Sequence, residues 1–392
     1  MVAGALALGT LSLGCGKGGS PSPGGGNEPK WKAANATEWK VGAYVSLSGD
    51  DSAFGTDTRE GIELAIEEIN KTGIKGKPMK VLYEDDKSKP EEATNKVLQL
   101  IDRDGVIAVL GEVASSRSRA GGIVANREKI PMITSASTHP DVTKDRPYVF
   151  RVCFTDDVQG KMGAQFVAGT LGKKKVALLF ASDDLYSSGL ANEFRAEAKK
   201  LGMEIVLEKS FLKKETNFTT YINELKAANP DIIYTPVYYN AMAQIARQAK
   251  AAGVPGNMFV GGDGWDANEL LRDAGEEMEG AYFTNHYAPD VPWPLSQEFV
   301  KKYEERYKRT PAAMAAQAYD SAKLLADAIG RAKTDTPDGI REALAETKNF
   351  QGATGSISMD ENRNAQKPVV IVQIKDKKFT YHSTVGGPAA QK

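Results

Sequence analysis

The chain of 392 residues carries only two cysteines and three histidines. His139, His286 and His382 are widely separated and lack the spacing of a zinc site, which needs three or four clustered ligands. No metal and no cofactor is therefore expected. A phosphate-loop Gly-Lys-Ser, a Gly-x-Ser-x-Gly elbow and a Cys-His pair in persuasive context are also missing, so an enzyme would lack a recognisable nucleophile. Excess charge is absent too. Lys plus Arg number 50 against 51 Asp plus Glu, a formal charge of −1, which gives no electrostatic reason to expect nucleic acid or an anionic membrane as ligand. The short basic clusters Lys173–Lys175 and Lys213–Lys214 read as solvated turns or helix ends. The uncharged apolar run Met1–Gly14 is too short to span a bilayer as a helix.

What is present begins with that run. An apolar stretch ending in small residues has the shape of a secretory signal. Its end, Leu11-Ser12-Leu13-Gly14-Cys15, resembles a bacterial lipoprotein cleavage site, at which Cys15 becomes the lipidated first residue. Cys153 then has no partner, and within Phe150–Phe154 it reads as a buried small hydrophobe. Residues 16–40, rich in Gly, Ser and Pro at their start, read as a flexible tether holding the folded body at an r.m.s. distance of about 25–30 Å. The remaining length exceeds what one core usually supports, so two lobes are expected.

Six short apolar runs of strand type each stop at a small, hydroxylated, acidic or aromatic cluster. The runs are Val41–Leu47, Val106–Leu110, Ile130–Thr134, Val176–Ala181, Ile232–Val237 and Met258–Gly261. Helical periodicity usually follows: Ile62, Ala65, Ile66 and Ile69 recur on one stripe of Gly55–Asn70, and Ala93, Val97, Leu100 and Ile101 on another. This alternation predicts an α/β fold with parallel sheets. Ligands of such sheets sit beyond the carboxyl ends of the strands, so the clusters mark a small-molecule site. Val369–Ile374 and Lys378–Tyr381 are expected to form a hairpin around Asp376-Lys377, in a lobe that periodicity does not determine.

The segments Gly42–Asn70, Gly111–Ser118, Ile130–Thr143, Arg151–Gly160, Leu185–Leu190 and Pro236–Gly253 together resemble the amino-acid-binding proteins of branched-chain amino acid ABC transporters, with the type I periplasmic binding fold. The resemblance implies two Rossmann-like lobes with parallel sheets, joined by three hinge crossings near Cys153–Asp157, Thr284–Ala288 and Gln351–Gly355. Residues 41–153 and 288–350 would form lobe 1, residues 157–284 and 355–381 lobe 2, and residues 382–392 a tail. It further implies that Ser115, Ala136 and Thr138 hold a ligand α-carboxylate. A helix start at Ser115 favours an anion on physical grounds as well, although capping alone is the plainer use of such residues. Asp263 matches the acidic position for the ammonium group, and Tyr186 and Tyr238 match aromatic positions of the second lobe. A desolvated ammonium needs a carboxylate, and aromatic faces add about 0.5–2 kcal/mol. Phe54 and Trp265 are expected to line the side-chain pocket, and Arg117 to be solvated on its helix. The function implied is an extracytoplasmic, lipid-anchored, monomeric binding protein, not an enzyme, that passes a branched-chain or other hydrophobic amino acid to a membrane permease. A sensor module and a periplasmic hydrolase are the rival readings.

Overall fold

The structure, a computed structural model, describes residues 1–2 and 30–386. Cys15 and most of the expected signal and tether lie outside the described residues. Residues 30–40 depart from the tether expectation: Lys30–Ala34 is helical, Asn35 is buried, and Trp39 opens a strand. The cause is long-range. The Trp39 indole nitrogen donates to the Ile74 carbonyl at 2.8 Å and Asn35 Nδ2 to that of Gly105 at 3.0 Å, and burying such an aromatic contributes roughly 2 kcal/mol.

Strands β1 (Trp39–Val45), β2 (Met79–Asp85), β3 (Ala108–Leu110), β4 (Met132–Thr134) and β5 (Val149–Arg151) form a parallel sheet in the order β2-β1-β3-β4-β5. Next come β6 (Lys175–Ala181), β7 (Glu204–Phe211), β8 (Ile232–Tyr234), β9 (Phe259–Gly261) and β10 (Tyr282–Asn285). A small antiparallel sheet of β11 (Phe350–Gly352), β12 (Gly355–Met359) and β13 (Ala365–Gln366) follows, and the chain ends in β14 (Val369–Lys375) and β15 (Lys378–Val385). The second main sheet runs β15-β14-β10-β9-β8-β6-β7. Strands β3, β4, β8 and β9 are buried throughout, because helices cover both faces, and this is why they read as continuous apolar runs. The half-exposed edge strands β2 and β7 carry Lys80, Glu84, Glu204 and Lys209, which hides them from an apolar-run search while protecting the edges.

The expected hairpin forms. Asp376 and Lys377 take φ values of 52° and 57°, as a two-residue turn requires, and β14 pairs antiparallel with β10, placing the hairpin in lobe 2. In lobe 1 the helix Ser52–Ile69 packs on Ala313–Arg331 so closely that a Cβ on Gly61 would lie 2.1 Å from the Ala315 carbonyl oxygen.

The third crossing lies later than expected. Ile357, Met359 and Ala365 pack with Val41, Phe150 and Leu325 in the lobe 1 core, so the chain returns to lobe 2 near Lys367, after β13. A strand of this length looks alike in either lobe. Lys367 is buried at this crossing and donates to Thr354 Oγ1 at 2.5 Å, while Asp320 accepts from the amides of Ala353 and Thr354 at 2.7 and 2.8 Å. Burial pulls the Lys367 ammonium down to about 8, with Asp320 offsetting part of the effect. Between that value and the ordinary lysine value of about 10.4, the unfolded chain holds a proton that the native state has lost, so stability should rise with pH by roughly 3 kcal/mol. Urea denaturation of wild type and Lys367→Met between pH 7.5 and 10.5 tests this. The stability difference between them should change across that window, and a constant difference would exclude the assignment.

Candidate functional site

The carboxyl ends of β1, β3 and β4 in lobe 1 face those of β6, β8 and β9 in lobe 2, and the lobes touch across the cleft. The Asp50 carbonyl accepts from Tyr239 Oη and from Asn240 Nδ2, each at 3.1 Å. Phe54 meets Tyr238 and Tyr239 edge-on, with ring centroids 5.7 and 4.9 Å apart.

On the lobe 1 side, Ser115 begins the helix Ser115–Arg127; the Arg117 and Ser118 amides already bond the Ala114 carbonyl at 3.1 and 2.9 Å, so the amides left over at this helix start are those of Ser115 and Ser116. Ser115 Oγ accepts from the His139 amide at 3.2 Å, tying this helix start to the loop after β4 that carries Ala136 and Thr138. Ser115, Ala136 and Thr138 are all buried. The structure therefore gathers these three expected residues beside one positive helix end.

On the lobe 2 side, Asp263 is buried in a single 3-10 turn after β9. Its Oδ1 accepts from Gln159 Nε2 at 2.9 Å, and its Oδ2 lies 3.3 Å from His286 Nε2. The turn is more than a tight bend. A Cβ on Gly262 would fall 2.5 Å from Tyr186 Oη, so glycine there lets the phenol approach and accept from the Gly264 amide at 3.0 Å. Tyr186 stacks on Tyr238 with centroids 5.1 Å apart and planes 8° from parallel. Asp184 caps the helix bearing Tyr186 by accepting from the Ser187 amide at 2.9 Å.

Trp265 does not take the expected place in a pocket wall. Its indole packs against Gly261 and near Phe283, and its nitrogen donates to the Thr235 carbonyl at 3.0 Å, so it fills the lobe 2 core beneath the Asp263 turn. The wall that does form across the cleft is Phe54, Val113, Ala114, Tyr238 and Tyr239, members of one buried apolar cluster.

Arg117 is buried, not solvated. Its Nη1 bonds Asp51 Oδ2 at 2.7 Å, its Nε bonds Glu112 Oε2 at 2.9 Å, and Asp86 Oδ2 lies 3.8 Å away. Against the cost of burial, Arg117 and then Lys213 hold the Asp51 carboxyl below its usual range. Burial first, and then the neighbouring Glu112, push Asp86 up to about 7. Lys213 is likewise not a merely solvated lysine, since it reaches Asp51 from the other lobe at 3.3 Å.

Asp156, Gln159 and His286 escaped the sequence reading. Asp156 opens the helix Asp156–Gln165 at the first crossing, and burial, reinforced by the Asp263 charge, raises its carboxyl well above the usual range. His286, at the second crossing, is held neutral by burial, its pKa brought down to about 4 against the pull of Asp263, and its ring lies 3.7 Å from that of Phe154. The available signal was the expected hinge itself, where polar residues beside a crossing face the cleft. Gln159 Oε1 is buried without a hydrogen-bond partner among the described residues, while the buried Thr138 hydroxyl and Asp156 carboxyl face each other, which offsets part of the rise in the Asp156 pKa, and have no further partner there. Buried polar groups of this kind ordinarily take a partner from protein, ordered water or ligand. Cys153 is buried as expected, its Sγ 3.3 Å from the Ser137 carbonyl and its thiol pushed up to about 12 by burial. Among the described residues no group of acidic, His or Cys side chains is arranged to hold a metal, and no helix is long and apolar enough to cross a membrane.

The family model described as "Periplasmic binding protein" matches residues 38–378. A leucine-binding protein from Thermotoga maritima is 37% identical, superposes with a TM-score of 0.84, and is matched over 88% of this chain and 98% of its own. A branched-chain amino acid transporter substrate-binding protein from Streptococcus pneumoniae, solved with isoleucine, is 32% identical, with a TM-score of 0.84 over 90% of this chain and 100% of its own. The leucine-, isoleucine-, valine-, threonine- and alanine-binding protein of Pseudomonas aeruginosa is 27% identical over 82% of this chain and 86% of its own.

Proposed function

Since the chain belongs to the periplasmic binding protein family, we propose that it captures an amino acid with an apolar side chain between its lobes and delivers it to the permease of an ABC transporter. The observation that supports the reading is the set of buried polar groups at the cleft: Gln159 Oε1 without a partner among the described residues, the Thr138 hydroxyl and Asp156 carboxyl meeting only each other, and Asp263 beside Gln159. Ser115, Ala136 and Thr138 receive the α-carboxylate at the helix start. Asp263, with Asp156 beside it, receives the ammonium. Tyr186 and Tyr238 close over the ligand, and Phe54 and Tyr238 meet its side chain. Because Arg117 is already neutralised by Asp51 and Glu112, its charge is not left to attract an acidic side chain.

Contacts to both lobes form only on closure, so differential affinity shifts the hinge equilibrium. No catalytic step belongs to this site: the Cys153 thiol stays protonated and packed away. Cys15 is the proposed point of lipid attachment, which would hold the body outside the cytoplasmic membrane, and the body is proposed, separately, to act as a monomer.

Thermal and calorimetric titration with leucine, isoleucine, valine, glutamate and benzoate tests the reading. A cognate amino acid at 100 times its Kd should add about 2.7 kcal/mol of stability, with glutamate and benzoate inert. Stabilisation by none of the amino acids, or conversion of a bound one to product, would overturn it.

A further inference from the structure

We infer that Lys213 is a positioning residue that locks the closed lobes by completing the charge balance of the Arg117 network, and so slows ligand release. The inference rests on the two-lobed capture described above.

Lobe 1 gathers three carboxyl groups, Asp51, Asp86 and Glu112, around one guanidinium. It is short of positive charge. Lobe 2 supplies some through Lys213, whose Nζ stands 3.3 Å from Asp51 Oδ2 and 3.7 Å from Asp184 Oδ2. The same ammonium lies 4.9 Å from the centre of the Tyr238 ring, so it touches both the lobe 1 network and a wall of the proposed ligand pocket. The backbone carrying it is fixed where it leaves β7, because the Lys213 amide donates to Asp183 Oδ1 at 2.7 Å. Asp51 is fully buried while the Lys213 side chain keeps 30% exposure, an arrangement in which the lysine can withdraw. An adjoining cavity of about 430 Å3, bounded by Lys213, Tyr238, Asp184 and Gln244, gives it room to do so. Opening must break this bridge together with the two bonds to the Asp50 carbonyl. A charge pair of this kind acts on dissociation more than on encounter.

Stopped-flow release of leucine from the full chain tests the lock. Lys213→Met should release about three- to tenfold faster, a range set by the partial exposure of the pair, with association changed less than about twofold. Lys213→Arg should restore slow release, and Lys214→Met, its exposed neighbour, should behave as wild type. Wild-type release should quicken with added salt and that of Lys213→Met should not. Release from Lys213→Met at the wild-type rate, or no rescue by arginine, would overturn the lock. If wild type binds none of leucine, isoleucine and valine, the capture reading is what fails, and the lock is then decided by small-angle scattering of ligand-free protein. Salt should expand wild type and leave Lys213→Met unchanged, and identical responses would dismiss it.

Discussion

Titration of the Asp263→Ala variant with leucine is expected to show binding weakened by about 3–5 kcal/mol, the range for removing one partner of a buried ion pair, or roughly two to four decades in Kd. The size follows from enclosure. Asp263 is buried in the closed cleft, so an ammonium brought there gives up water and, without the carboxylate, gains little in return. Gln159 and His286 also lose their acceptor, and a general loss of folding must therefore be separated from loss of binding. Asp263→Asn does this. It keeps an oxygen for Gln159 and the volume of the site while removing the charge, so its urea midpoint should stay near wild type while its affinity falls with that of the alanine variant. Calorimetry showing wild-type affinity in Asp263→Asn would remove the ammonium assignment.

Arg117→Met should cost stability on a similar scale, about 3–5 kcal/mol at pH 8. Without the guanidinium, Asp51, Asp86 and Glu112 confront one another in a buried site with only Lys213 at its margin. The cost should shrink on acidification. In the variant, burial and mutual repulsion raise the folded-state carboxyl pKa values above their unfolded values, so the native state binds the extra protons and stability is lost as pH rises. Wild type differs because Arg117 keeps Asp51 below its usual range. Urea denaturation at pH 5 and pH 8 measures both quantities. A loss below about 1 kcal/mol at pH 8, or one that grows toward pH 5, would show that Arg117 is not the counter-ion of this cluster.

The sequence made the cleft legible for a simple reason. Strands covered on both faces are apolar throughout, and whatever polar cluster follows them stands at the sheet edge. The six apolar runs accordingly coincide with β1, β3, β4, β6, β8 and β9, with β1 and β6 starting a residue or two earlier and the other ends trimmed by up to three residues. Arg117 was misread because Ser-Ser-Arg-Ser-Arg has the local pattern of a solvated helix face, whereas the group that buries it, Asp51, is 66 residues distant. Trp265 was misplaced for a related reason: sequence locates it beside Asp263 but does not reveal which side of a 3-10 turn its indole takes. The convergence of Asp51, Asp86 and Glu112 on one cation depends on strand order β2-β1-β3, which adjacency along the chain does not disclose, and Asp86 follows a strand that no apolar run marked.

The late crossing at Lys367 bears on how the polypeptide reaches this shape. The lobe 1 core draws on Ala318–Ile329, Ile340, Ile357 and Ala365, and the lobe 2 core on Val370, Val372, Ile374 and Phe379. A nascent chain that has emerged only as far as its midpoint therefore owns neither core in full. Assembly waits for the carboxyl-terminal third, a delay that suits a polypeptide translocated in extended form, and severing the gene at any one crossing cannot yield a self-sufficient half.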